Sequence, residues 1–250
     1  MAKINYARIN KMYQRFYSGL AGAPPNTNSF HFQHLVAKSL NKFVRHNVGS
    51  FDSNRTMSVL DVGCGSLPYK GISGANWIWV GLDIEDNSLA DIKVATNDKT
   101  WDVSSGSFDL VLCTEVLEHS KYPESILSEV RRVLKPGGTL VLTTPFIYPI
   151  HGAPNDFRRY TPHFYEDNLT GFQIEILELN GGFGSAVSTL ILNWVDYQCQ
   201  KSEIYSAIRA LFFPVWLIFS LTLNIVAGIL DRLDKTNSLG TNILLVAHKI

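Results

Sequence analysis

Residues 59 to 65 read Val-Leu-Asp-Val-Gly-Cys-Gly, and Asp83 closes a second apolar run eighteen positions after Gly65. A hydrophobic strand that stops in a glycine turn lets the backbone approach a ligand closely, and a carboxylate delivered beside it by the next strand can accept hydrogen bonds from two ribose hydroxyls. A nucleoside cofactor fits that pair. Two further stretches hold reactive side chains: Thr114 to His119, reading Thr-Glu-Val-Leu-Glu-His, and the proline-rich run Pro145 to Thr161 with His151, Asp156, Arg158, Arg159 and Tyr160.

The third glycine position decides which nucleoside. A dinucleotide fingerprint, G-x-G-x-x-G, needs glycine at 68, and the chain has Pro68. Asp61 stands two before the first glycine, and Asp-x-Gly-x-Gly at a strand end resembles motif I of the class I S-adenosylmethionine (SAM) methyltransferases. The likeness continues in order through Gly81-Leu-Asp-Ile-Glu85, Ser107 to His119, and Glu129-Val-Arg-Arg-Val-Leu-Lys-Pro-Gly-Gly-Thr-Leu-Val-Leu-Thr-Thr-Pro145. It covers residues 57 to 183 and the last ten, and is similar to the type 11 methyltransferases.

The resemblance implies SAM as cofactor and assigns its contacts. Gly63, Cys64 and Gly65 form the loop against the methionine part, and Asp61 orients that loop or reaches the cofactor amine through water. Asp83 takes the ribose hydroxyls, Ile84 lies on the adenine face, and Asn97 or Asp98 accepts from the adenine amino group. Thr114 and Glu115 complete the set at the end of the fourth strand.

Methyl transfer from a sulfonium is an in-line displacement with a good leaving group, so positioning is the main task, and a base is needed only for an acceptor that carries a proton. His151 is the candidate base, with Asp156, Tyr160 and His119 beside it in the catalytic set. For His119, a role in shaping the cofactor pocket stands next to a catalytic one. Arg158 and Arg159 are candidate substrate ligands, although Asp156 and one arginine could equally form a structural ion pair. No metal-ligand spacing is evident, and no metal is expected.

Positioning these groups requires an α/β fold. Short apolar runs at Ser58–Val62, Ile78–Asp83, Ile92–Ala95, Phe108–Cys113 and Thr139–Thr144 alternate with helical or turn segments, including Glu124–Leu134, which predicts a mostly parallel sheet covered on both faces. Phe172–Leu179 and Asn242–His248 add two strands, making a Rossmann-like seven-stranded sheet. The family resemblance makes the last strand antiparallel. The glycines and Pro68 between Gly65 and Trp77 make a poor first helix, and Thr161 with Pro162 should begin a later one. The expected organisation is an N-terminal helical cap (1–50), a SAM-binding core (51–183), a hydrophobic helical insertion (184–240) and a final core strand (241–250).

The chain has 250 residues, 46% of them hydrophobic, with 22 basic and 22 acidic side chains. That is enough apolar material for a core, and with no net charge or basic stripe a nucleic acid partner is disfavoured. Three scattered cysteines and no secretory leader in the opening residues read as cytoplasmic. One feature departs from the family plan: Ala210 to Leu230 holds 21 consecutive uncharged residues. Pro214 should split it into a shorter and a longer helix, with Ser220, Asn224 and Asp231 along a narrow polar edge. Peripheral contact with the cytoplasmic face of a membrane, a homodimer interface or hydrophobic lid, and a membrane span stay open. The functional expectation is methyl transfer to a small-molecule, sugar or lipid-linked acceptor in envelope lipid or polysaccharide synthesis; the alternative is a catalytically inactive SAM-binding adaptor or assembly partner at the membrane.

Overall fold

The computed structural model describes residues 6–72, 74–84, 86–95 and 100–250, with side chains from Lys11 onward. Asn97 and Asp98 lie outside the described residues. The chain forms two compact units: a core unit of Lys42–Phe146, Ile150–Leu179 and Asn242–Ile250, and a helical unit of Met1–Asn41, Ile147–Pro149 and Asn180–Thr241.

The strands of the main sheet are β1 (Met57–Val62), β2 (Trp77–Ile84), β3 (Ile92–Val94), β4 (Phe108–Thr114), β5 (Leu134–Pro145), β6 (Phe172–Asn180) and β7 (Asn242–Lys249). Their spatial order is β3-β2-β1-β4-β5-β7-β6. The strands from β3 across to β5 pair parallel, and β7 runs antiparallel to β5 with Asn242 opposite Pro145. This is the Rossmann-like α/β sheet that the sequence pattern requires. Central strands read as continuous apolar runs because both faces are covered: Leu60, Val111 and Leu140 are fully buried.

The helices are α1 (Tyr6–Ala21), α2 (His34–Gly49), α3 (Pro123–Val133), α4 (Pro162–Asn168), α5 (Phe183–Lys201), α6 (Glu203–Leu211) and α7 (Phe213–Leu233). Pro123 begins α3, Glu124 stands in its first turn and Arg131 and Arg132 in its last, matching the helix dipole, while Leu127, Val130 and Val133 turn inward. Between β1 and β2, among the described residues, the helical content is one 3₁₀ turn, Lys70–Ile72. Gly74 explains part of that irregularity: a Cβ there would lie 2.1 Å from the Ser53 carbonyl oxygen. Two details differ from expectation. Strand β5 begins at Leu134, because Lys-Pro-Gly-Gly is absorbed into the ladder through a register shift between Phe108 and Leu110. Thr161 precedes Pro162 at the start of α4, but its side chain makes no capping hydrogen bond.

In the helical unit, Pro214 sits in the first turn of α7, where its missing N–H costs nothing. The polar edge of α7 faces inward. Ser220 Oγ donates to the Phe30 carbonyl (2.9 Å), and Asn224 Nδ2 donates to the carbonyls of Ser29 (2.9 Å) and His31 (3.0 Å). At the far end, Asp231 accepts from the Ser185 backbone N–H at 2.9 Å and from the Ser185 hydroxyl. Tyr13, Tyr17, Leu192 and Trp216 form a small core, and Arg209 lies 4.3 Å over the Tyr13 ring while its guanidinium pairs with buried Asp196. The apolar side of α7 is left outward, with Val215, Ile218, Ile225, Ile229 and Leu233 all exposed.

Hydrogen bonds thus act alongside the burial of Trp216 and Ala227 in fixing α7. Replacing Asn224 with Leu removes both donors and should lower stability by about 1–3 kcal/mol, the usual cost of leaving buried acceptors unpaired. Chemical denaturation of the wild type and variant reads this directly; an unchanged midpoint contradicts it.

Candidate cofactor site

The site begins where β1 ends. Gly63 and Gly65 adopt φ angles of +65° and +49°, and a Cβ on Gly63 would fall 2.4 Å from Val116 Cγ2, so a side chain is excluded there. The turn is pinned to the neighbouring strand: the N–H groups of Gly63 and Cys64 donate to the Leu82 carbonyl at 2.8 and 3.2 Å. Asp83 completes the attachment. Its Oδ2 accepts from Gly65 N (2.9 Å) and Asn87 Nδ2 (2.7 Å), and its Oδ1 from Ile84 N (2.8 Å). The Cys64 thiol also approaches Oδ2 at 3.9 Å, so the remaining acceptor capacity lies on Oδ1, which takes a single donor. Asn87 also donates to the Gly65 carbonyl (2.9 Å), a brace that carries no motif in sequence.

Asp83 and Gly63 line a cavity of about 390 Å³, together with Ile84, Trp101, Glu115, Val116, His119, Gly152 and Asn155. Trp101 is held by a clamp on α3. Glu129 Oε2 accepts from Trp101 N at 2.7 Å, and Arg132 bonds Glu129 and donates to the carbonyls of Trp101 (3.1 Å) and Val103 (2.6 Å). The Arg132 guanidinium holds the Glu129 carboxyl below its usual range. Ile84 lines the cavity and is 44% exposed.

Asp61 is placed beneath the loop, 2% exposed, with its Oδ2 unpartnered among the described residues. Burial pushes its carboxyl up to about 7, and the Asp83 charge adds to the shift; the Trp79 indole opposes it without completing a hydrogen bond. Glu115 takes a left-handed backbone (φ 56°), unusual for a residue with a Cβ, immediately after β4. Its carboxyl accepts from Thr143 Oγ1 (2.9 Å) and from Asn242 Nδ2 (3.0 and 3.1 Å). Burial and the nearby Glu118 carboxylate shift it upward. Thr114 ends β4 opposite Thr143 on β5.

The proline-rich loop divides its expected site residues. His151 is brought to His119, ring centroids 4.8 Å apart, and the loop packs so closely that a Cβ on Gly152 would lie 3.0 Å from the His119 ring. Asp156 forms a two-pronged ion pair with Arg159 (2.5 and 2.7 Å) and accepts from His151 N (2.8 Å). That pairing holds its carboxyl at about 2. Arg158 is exposed and reaches back to the carbonyls of Lys121 (3.2 Å) and Ser120 (3.5 Å). Tyr160 is not brought to the cavity: it is buried among Phe164 and Tyr165, and its hydroxyl donates to the Leu117 carbonyl at 2.9 Å. Burial pushes that phenol up to about 12. Tyr160 thus braces the turn that carries Glu118 and His119.

A family model described as a methyltransferase domain matches residues 31–212. The chain belongs to the SAM-dependent methyltransferases. Among curated relatives, the ubiquinone biosynthesis O-methyltransferase of Dechloromonas aromatica is 33% identical over 100 residues, 34% of this chain and 43% of that protein. The chain thus spans less than half the length of that relative. Among solved structures, the [4+2]-cyclase SpnF aligns over 96% of this chain and 94% of its own with a TM-score of 0.56 and 17% identity. A phosphoethanolamine N-methyltransferase of Haemonchus contortus with SAM bound covers 99% of this chain and 60% of that one, with a TM-score of 0.51 and 15% identity. At these identities the structural likeness speaks for the fold alone.

The residues present fit SAM. Gly63 lines the cavity where a Cβ would strike Val116, Asp83 Oδ1 keeps acceptor capacity on the cavity wall, and Asp61, though outside the cavity lining, carries a buried oxygen with no hydrogen-bond partner among the described residues. When bound, SAM supplies a methyl group on a sulfonium, a leaving group that needs no further activation. Asp83→Asn, which keeps shape but loses charge, should weaken SAM binding by about tenfold or more, since hydrogen bonds to a charged group contribute roughly 1.5–3 kcal/mol. Calorimetric titration measures it, and an unchanged affinity would remove Asp83 from the site.

Asp61 gives a pH dependence with a definite sign. Its folded-state pKa is raised, so its contribution to stability is complete below the ordinary range near 3.8 and is lost as pH rises through about 7. Asp61→Asn should flatten that decline in thermal melts between those limits. If the cationic cofactor is felt at Asp61, SAM affinity should also rise across the same interval, with release of a proton; parallel wild-type and variant profiles would contradict both statements.

Proposed function

We propose that the protein transfers the methyl group of SAM to a hydroxyl on an apolar or lipid-linked small molecule, working at the cytoplasmic face of a membrane. The core unit supplies the cofactor site. The observation that carries the finer reading is the outward apolar face of α7, continued on α6 by Ile204, Ile208 and Leu211. This helix is long and apolar enough to cross a membrane by length and composition, yet only 22% of its most apolar window is buried within the protein.

A helix that spends Ser220 and Asn224 on the protein's own backbone carbonyls and leaves a run of apolar side chains outward suits insertion into the headgroup boundary. The likeness to ubiquinone biosynthesis O-methyltransferases supports oxygen as the accepting atom. Membrane lipids or surface-polysaccharide precursors are acceptors of the proposed kind. The core unit's residues would do the following work: the glycine loop and Asp83 hold the cofactor, Trp101 and Ile84 wall its base, and the His119 and His151 turn closes over the acceptor. The SpnF likeness shows that this fold also hosts chemistry other than methyl transfer, so the activity requires its own test.

Purified protein incubated with SAM labelled in the methyl group and with separated membrane and soluble extracts should place label in organic-extractable material from the membrane fraction. It should also sediment with anionic vesicles, and Ile218→Glu combined with Ile225→Glu should reduce that sedimentation severalfold. Label only in water-soluble products, or vesicle binding indifferent to both substitutions, would overturn the membrane reading. No label in any fraction despite SAM binding would favour the inactive adaptor.

A further inference from the structure

Glu118 is fully buried, and neither of its carboxylate oxygens has a hydrogen-bond partner among the described residues. A buried carboxylate left in that state is costly unless a cation joins it. Two imidazoles face it. His119 Nε2 stands 3.7 Å and His151 Nε2 3.8 Å from the same oxygen, Oε1. The three ligand-capable atoms lie within 4.8 Å of one another.

The far side of each ring is already anchored. His119 Nδ1 lies 2.5 Å from the Asn155 carbonyl, which can only accept, so Nδ1 carries the N–H of that contact and Nε2 is the nitrogen turned toward Glu118. His151 Nδ1 lies 3.4 Å from Asp156 Oδ2, a carboxylate itself held by Arg159. An outer carbonyl or carboxylate behind each imidazole is the arrangement that orients metal-binding histidines. Ligands sharing an ion at about 2.0–2.2 Å are about 3–4 Å apart, a range that the two contacts to Glu118 Oε1 already meet.

We propose that Glu118, His119 and His151 bind a divalent transition-metal ion, zinc fitting the two-imidazole, one-carboxylate set best. Three protein ligands leave a coordination position open, and His119 also lines the cofactor cavity. Resting on the methyl-transfer reading, the open position would hold the acceptor hydroxyl. A hydroxyl ligated there passes its proton to solvent and stays as the oxyanion, so no side chain of the loop has to act as base. Sequence spacing gives no hint of the site, because His151 arrives thirty-two positions after His119 on a different loop.

The test is equilibrium dialysis of the full chain, stripped with chelator, against ZnCl₂, with metal counted by mass spectrometry and Co²⁺ as a visible-absorption probe. One equivalent should bind, Zn²⁺ should displace the Co²⁺ spectrum, and His151→Ala and Glu118→Gln should each weaken binding at least about tenfold while thermal melts confirm folding. His163→Ala, an exposed histidine elsewhere, should bind as the wild type does. SAM titration on the same samples separates the two readings: retained SAM binding in His151→Ala with lost metal supports the metal site alone, whatever the activity. No bound metal, or affinity unchanged in both ligand variants, overturns the proposal.

Discussion

The Asp83 carboxylate ties the end of β2 to the loop that ends β1, and the site depends on that tie. Gly65 N and Asn87 converge on one of its oxygens, while Leu82 next to it receives the N–H groups of Gly63 and Cys64. Without these bonds, a loop with two residues in the left-handed region would have no reason to keep its shape. Everything else in the cavity is arranged around it: Val116 presses on Gly63 where a Cβ would sit, and the clamp of Glu129 and Arg132 sets Trp101 in the wall. The rigid element is a pair of adjacent strands in register, Asp61 beside Gly81 and Val62 beside Leu82.

A second constraint follows from burying acid near the strand ends. Asp61, Glu115 and Glu118 lie in or under the same end of the sheet, and each solves the problem differently. Asp61 is raised by desolvation, Glu115 is bonded to Thr143 and Asn242, and Glu118 faces two imidazoles with the Arg159 charge in the same region. Asn242 links this chemistry to the topology: because β7 runs antiparallel to β5, its first residue, and not its last, arrives at the cavity end.

The sheet was legible in sequence because its central strands are buried on both faces and so must be apolar throughout; the positions of β1, β2 and β4 follow within a residue or two. The glycine loop and Asp83 were legible because their roles are backbone roles, dictated by residue type and spacing. What sequence could not reveal depends on side chains from distant segments meeting in space. Asn87, Asn242 and the α3 clamp have no local pattern, and Tyr160 looked reactive in a polar loop but is packed as a brace. Ser220, Asn224 and Asp231 were visible as a polar edge on α7; that the edge is spent on Phe30, Ser29, His31 and Ser185 required the fold.

In the helical unit, α7 turns Ser220, Asn224 and Asp231 inward and leaves an apolar face outward, while Tyr13, Tyr17, Leu192 and Trp216 still form an apolar core. The central claim nonetheless rests in the core unit. A crystal structure with S-adenosylhomocysteine tests it most directly: the account predicts the ribose hydroxyls within hydrogen-bonding distance of the Asp83 carboxylate and the amino acid end against the Gly63–Gly65 loop. A nucleoside bound elsewhere, or none bound at saturating concentration, would contradict it.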